Sequence, residues 1–172
     1  ATEEERSLCI ARELIAPVVL GLVDGVEGTT LHYFNDDHFD IPTTPVVFES
    51  GQHDEPLSVT RAIAAIINCL RTVGCLREED VENKHDALLI QHSMGLPRLT
   101  EMLYCHKIKE GDAFRMVPGK RNFQRIRKGE HLANDKNGPI YSREDGLLLM
   151  PLYQAQGEDG FFLIRKTKPD QL

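Results

Sequence analysis

Val46-Val47-Phe48-Glu49-Ser50-Gly51-Gln52-His53-Asp54-Glu55 is the stretch whose reading decides the architecture of the first half of this chain. β-branched and aromatic side chains run into a carboxylate, which reads as a strand over Val46–Phe48 that stops at Glu49. A small glycine-containing turn follows. Asp54-Glu55-Pro56 then opens a helix, with acid and proline in its first turn. In an open α/β sheet, ligands bind at the carboxyl ends of the strands. A glutamate carried to that edge is placed for chemistry rather than packing.

Toward the N-terminus, Pro42 and Pro45 frame the entry to this strand, and proline is allowed just outside a strand. Residues 29–34 fit a short helix or a strand, and periodicity does not separate the two. Val18-Val19-Leu20-Gly21-Leu22-Val23-Asp24 reads as a strand entering a Gly25/Gly28 loop. Ahead of it, Thr2-Glu3-Glu4-Glu5 has the form of a capping box. Leu8, Ile10, Ala11, Leu14 and Ile15 then recur at roughly helical spacing until Pro17. Toward the C-terminus, Val59, Ile63, Ile66, Ile67 and Leu70 form the apolar stripe of a helix that Gly74 stops. Arg77-Glu78-Glu79-Asp80 opens a shorter helical segment reaching about His92.

The pattern changes near Gly95-Leu96-Pro97. Beyond it, short apolar runs alternate with turn signals about every eight to twelve residues, the rhythm of a sandwich or barrel. Asn137-Gly138 is a strong hairpin signal among them. The expected organisation is an α/β piece over residues 1–95 and a small all-β domain over 96–172. The α/β piece offers few strands, so its sheet has open edges and an uncovered face. It is half of a larger domain, or it borrows sheet from a partner.

Composition narrows the function classes. Of 172 residues, 41% are hydrophobic and 27% charged, ordinary for a globular protein. A net charge of −7 argues against nucleic acid, which needs clustered lysine and arginine. No apolar run approaches the roughly 18 residues that cross a bilayer. The acidic N-terminus lacks the basic start of a secretion signal. Cys9, Cys69, Cys75 and Cys105 form no C-x-x-C pair and read as reduced, mostly buried thiols of a cytoplasmic protein.

Three stretches together resemble the succinylglutamate desuccinylase/aspartoacylase family of zinc carboxypeptidase-like hydrolases. One is Val46-Val47-Phe48-Glu49-Ser50-Gly51-Gln52-His53, similar to the family strand that ends in an essential glutamate. Another is Gly129-Glu130-His131-Leu132-Ala133 with Asp145-Gly146-Leu147-Leu148-Leu149-Met150-Pro151. The last is Gln156-Gly157-Glu158-Asp159-Gly160-Phe161-Phe162-Leu163. The latter two are similar to the family's C-terminal β domain. The resemblance implies part of an α/β/α zinc-hydrolase fold followed by a barrel or sandwich. It also implies one zinc per full-length chain, held through an H-x-x-E motif and a histidine in a D-L-H-x-T-like segment. This sequence has neither motif: no histidine is followed three residues later by glutamate. Family order puts both before Glu49, so the expectation is the C-terminal part of a longer enzyme. The 172 residues alone should then bind no zinc tightly and hydrolyse nothing.

By resemblance, Glu49 is the general base. Bound zinc lowers the pKa of water toward about 7 and polarises the amide carbonyl. A carboxylate takes the water's proton during attack and returns it to the leaving amine. The implied substrate is an N-acyl amino acid or a similar small amide. Gln52 and His53 lie just beyond Glu49 and line the pocket in this reading. Arg61 is the candidate partner for a substrate carboxylate, and Gly51 lets substrate approach the backbone. The family's carboxylate-holding arginine, upstream of the essential glutamate, is replaced by Phe39, and residues 32–40 contain no arginine. Each assignment competes with a plainer one: a solvated strand end for Glu49, an exposed turn for Gln52 and His53, a local ion pair for Arg61. A homo-oligomer is left open.

A reading of another class is a non-catalytic binding or assembly module with a biotinyl/lipoyl-like β domain. Lys136 beside the Asn137-Gly138 turn would be its carrier lysine, although the surrounding residues, Asn134-Asp135-Lys136-Asn137, lack the usual carrier setting.

Overall fold

A computed structural model describes residues 3–22, 30–52, 55–82, 84–154 and 157–167. The chain divides into two compact units, Ala1–Leu99 and Thr100–Leu172. The fold is mixed α/β with open sheets.

In the first unit, helix α1 spans Glu5–Glu13, strand β1 Val18–Leu20 and the short helix α2 Thr30–Tyr33. Helix α3 spans Pro56–Thr72, a 3-10 turn Glu78–Asp80, and helix α4 Lys84–Ser93. Leu8 and Ala11 of α1 pack with Val18, Leu20 and Leu99, and Val46 lies against them. Buried Ser7 turns its hydroxyl to the Pro45 carbonyl at 2.7 Å, which satisfies a polar group that would otherwise weaken this core.

Four expectations for this unit need correction. The N-cap of α1 is Glu4, with no side-chain cap bond; Thr2 of the supposed capping box lies outside the described residues. β1 is shorter than Val18–Asp24, and the Gly25/Gly28 loop is not among the described residues. Residues 46–48 form no strand: among the described residues none pairs with them in a ladder. β-propensity alone cannot make a strand, because the backbone donors and acceptors need a neighbour. Residues 46–48 therefore add no strand to the sheet layer expected of this unit.

The fourth correction concerns α3. Three of the five stripe residues face outward, Val59 at 64% exposed, Ile63 at 47% and Ile66 at 59%, while Ile67 and Leu70 are half-buried. The buried face carries Ser58, Ala64, Ala65 and Asn68 instead. Small residues allow close helix packing, and Asn68 Nδ2 and Arg71 Nη2 both donate to Asp86 Oδ1 of α4, at 3.2 and 2.7 Å. Gly74 ends α3 at φ +78, donating its N–H to the Arg71 carbonyl.

The second unit is built of strands: β2 Leu99–Lys107 (beginning one residue earlier), β3 Arg115–Met116, β4 Arg125–Ile126, β5 His131–Asp135, β6 Gly138–Tyr141, β7 Gly146–Leu149 and β8 Asp159–Lys166. β2, β8, β7 and β4 lie side by side in that order, and β3, β5 and β6 form a second sheet. The pairings are antiparallel, with Cys105 opposite Phe162 and Leu148 opposite Leu163. Met116, Ile126, Leu132, Leu148, Phe161 and Leu163, drawn from both sheets, meet in one core. Neither sheet closes on itself among the described residues, so the barrel alternative does not form.

The β5–β6 hairpin falls where expected but one residue earlier: Asp135 pairs with Gly138 and the loop is Lys136-Asn137. Asp135 Oδ1 accepts the Asn137 N–H at 2.7 Å, fixing the turn. Gly160 lies under Phe114; a Cβ there would come within 2.6 Å of its ring. The described helices include none long and apolar enough to cross a membrane.

Candidate functional site

Glu49 stands exposed at the end of the extended segment, next to a turn held from below. The Ser50 carbonyl accepts a hydrogen bond from Arg61 Nη1 at 2.7 Å. The same Nη1 donates to Glu55 Oε2 at 2.9 Å, and Nη2 donates to Glu55 Oε1. This is the two-pronged guanidinium–carboxylate geometry that holds both groups in one plane. The Arg61 side chain is 15% exposed and that of Glu55 39%.

Gly51 sits against this pair with φ +129, a conformation that suits glycine. A Cβ would lie 2.5 Å from Arg61 Nη1 and 2.8 Å from Glu55 Oε2. The group that approaches the Gly51 backbone is therefore the Arg61 guanidinium. Glu55 also closes the turn from the main chain, its N–H donating to the Gln52 carbonyl at 3.2 Å.

Local sequence explains the arrangement. Glu55 is the N-cap of α3, with extended backbone (φ −84, ψ 115), and Pro56 follows at the first helical position. Its carboxylate makes no cap bond because it is turned to Arg61. The hydrogen bond from Arg61 holds the Glu55 carboxyl below the usual range. Partial burial opposes this, while the guanidinium charge and His92 add to it.

Of the residues singled out in the sequence, Glu49 and Gln52 are exposed on the turn and Arg61 lies beneath it. His53 lies outside the described residues. Glu55, read from sequence as helix-start charge only, is the residue that sequence reasoning missed. Helical pair rules look three or four residues ahead. Glu55 reaches Arg61, six residues on, only because its own backbone is not helical.

Among the described residues no three His, Cys, Asp or Glu side chains come together as metal ligands would. The chain thus offers no zinc site there. Phe39, at the position where the resembling family has its arginine, stacks on Phe34 at 5.3 Å and meets Tyr33 edge-on at 5.7 Å. His38 joins the same cluster, stacked on Tyr33 at 5.2 Å.

The second unit holds other groups of chemical interest. The His106 ring lies between Phe114 and Phe161, at 5.4 and 5.2 Å, and burial lowers its pKa. Cys105 is half-buried and donates to Asp159; burial first, then that carboxylate, push its thiol up to about 12. Cys9 and Cys75 are exposed and Cys69 is half-buried, so the thiols are not mostly buried as expected. Lys136 is 53% exposed and ion-paired to Asp112 at 2.9 Å, which ties down the side chain the carrier reading needs free.

By sequence, the chain matches no protein-family model and no curated protein. By structure, it is similar to the crystal structure of succinylglutamate desuccinylase from Vibrio cholerae. The TM-score is 0.50 at 16% identity, covering 93% of this chain and 44% of that one. The chain thus shares a fold with less than half the length of that protein.

Proposed function

We propose that this chain is part of a hydrolase that deacylates an N-acyl amino acid or a similar small amide, with Glu49 as its general base. The observation that carries the reading is the fold likeness to a desuccinylase over 93% of the chain. An exposed carboxylate beside an anchored turn is compatible with it. Membership of the succinylglutamate desuccinylase/aspartoacylase family belongs to the same proposal, as does its zinc dependence. The described residues do not fit a zinc site, so the ion's ligands would be supplied by residues other than these.

This chain's own contribution is proton handling. The Glu49 carboxylate accepts a proton from the attacking water as oxygen bonds to the acyl carbon. It passes that proton to the amine nitrogen as the C–N bond breaks, leaving a free carboxylic acid and a free amino acid. Glu49 then returns to its carboxylate form. Gln52, exposed on the same turn, is proposed to line the substrate space together with His53.

The test uses the intact protein, with N-acetyl and N-succinyl amino acids as substrates and release of free amine as the readout. Glu49→Gln is expected to lower kcat by about 100-fold or more, the scale of a lost general base, with the circular dichroism spectrum unchanged. Near-normal turnover in that variant removes the assignment. The 172 residues alone are expected to be inactive, and deacylation by them would contradict the proposed division of labour.

A further inference from the structure

We propose that Arg61 is a positioning residue for Glu49: together with Glu55 and Gly51 it forms a clamp that fixes the peptide immediately after the catalytic carboxylate. The inference rests on the hydrolase reading, and it assigns Arg61 a different task from gripping a substrate carboxylate.

The geometry points this way because the outer end of the guanidinium is already engaged. Nη1 is shared between the Ser50 carbonyl and Glu55 Oε2, and Nη2 is taken by Glu55 Oε1. Nε is buried and makes no hydrogen bond within the described structure. To grip a substrate carboxylate, Arg61 would have to release Glu55 or uncover its buried Nε edge. Gly51 argues the same point from the other side. Any side chain there would displace Nη1, the atom that holds Ser50.

The clamp matters because, among the described residues, no strand pairing holds this turn. Residues 46–48 have no ladder partner among the described residues, so the approach to Glu49 is not stiffened by strand pairing. The Ser50 carbonyl bond and the closure from Glu55 N–H to the Gln52 carbonyl hold the far side. A general base misplaced by even about an ångström loses much of its effect. Arginine suits the task because its planar fork reaches three acceptors at once, whereas lysine offers a point charge.

The experiment pairs a kinetic readout with one independent of activity. In the intact protein, Arg61→Met is expected to lower kcat about 10- to 100-fold while KM stays within about threefold. Arg61→Lys should recover part of that loss. Glu55→Gln, which leaves the Ser50 bond in place, should lower kcat less than Arg61→Met. A raised KM with kcat unchanged would overturn the inference and make Arg61 a substrate ligand. In the 172-residue chain, backbone order parameters at Ser50 and Gly51 should fall from about 0.85 toward 0.6 in Arg61→Met and stay put in Glu49→Gln. Unchanged order overturns the clamp whatever the kinetics. If Glu49→Gln keeps its turnover, the hydrolase reading fails. If Glu49→Gln is inactive and Arg61→Met keeps its kcat, only the clamp fails.

Discussion

Replacing Gly51 by alanine tests the clamp through stability. The backbone there has φ +129, and holding a residue with a Cβ in such a region costs about 1–3 kcal/mol. The new methyl would also sit 2.5 Å from Arg61 Nη1, so the guanidinium must withdraw from Ser50 and Glu55. Those are charge-assisted bonds, but Glu55 is 39% exposed, and solvent screening leaves about 1–2 kcal/mol for their loss. Alanine also restricts the unfolded chain, which returns about 0.4–1 kcal/mol. The net expectation is a loss of about 3 kcal/mol. Urea unfolding followed by circular dichroism at 222 nm reads it, because the described helices all lie in the first unit. The double variant Gly51→Ala/Arg61→Met should cost less than the sum of the two single changes, since the clash disappears with the guanidinium. A loss under about 0.5 kcal/mol for Gly51→Ala, or strict additivity, would refute the packing of glycine against arginine.

Three further outcomes are expected. Glu55 has its carboxyl pKa lowered by Arg61, so its contribution to stability is present above the unfolded carboxyl value and is lost as pH falls through the folded one. Wild-type stability should therefore decline more steeply on acidification than that of Glu55→Gln, and parallel curves would count against the pair. Iodoacetamide at pH 8 should label exposed Cys9 and Cys75 and spare Cys105, whose thiol is raised to about 12; tryptic mass spectrometry reads the pattern. In the 172-residue chain, Ile66→Lys on the outward face of α3 should change stability by less than about 0.5 kcal/mol. Ala65→Leu on its inward face should cost about 1–3 kcal/mol. The reverse order would put the apolar stripe inside.

What the sequence determined by itself is what short-range chemistry controls. Pro56 and Gly74 bound α3, Asp135 and Gly138 frame a hairpin, and frequent glycine and proline after Pro97 mark a strand-built second unit. Glu49 at the end of an extended run was legible for the same reason. The tertiary structure alone decided which groups meet over longer separations. Strand chemistry at Val46–Phe48 yields no strand, because a ladder needs a second backbone that the described residues do not bring there. Val59, Ile63 and Ile66 of the α3 stripe turn outward, because Ala64, Ala65 and the polar contacts of Asn68 and Arg71 with Asp86 fill its inner side. The Arg61–Glu55 clamp beneath Gly51 belongs to no helical period, since it depends on a non-helical N-cap folding its carboxylate back. Periodicity records how residues of one element face one another, and the position of a carboxylate against a guanidinium across a turn depends on the path of the chain between them.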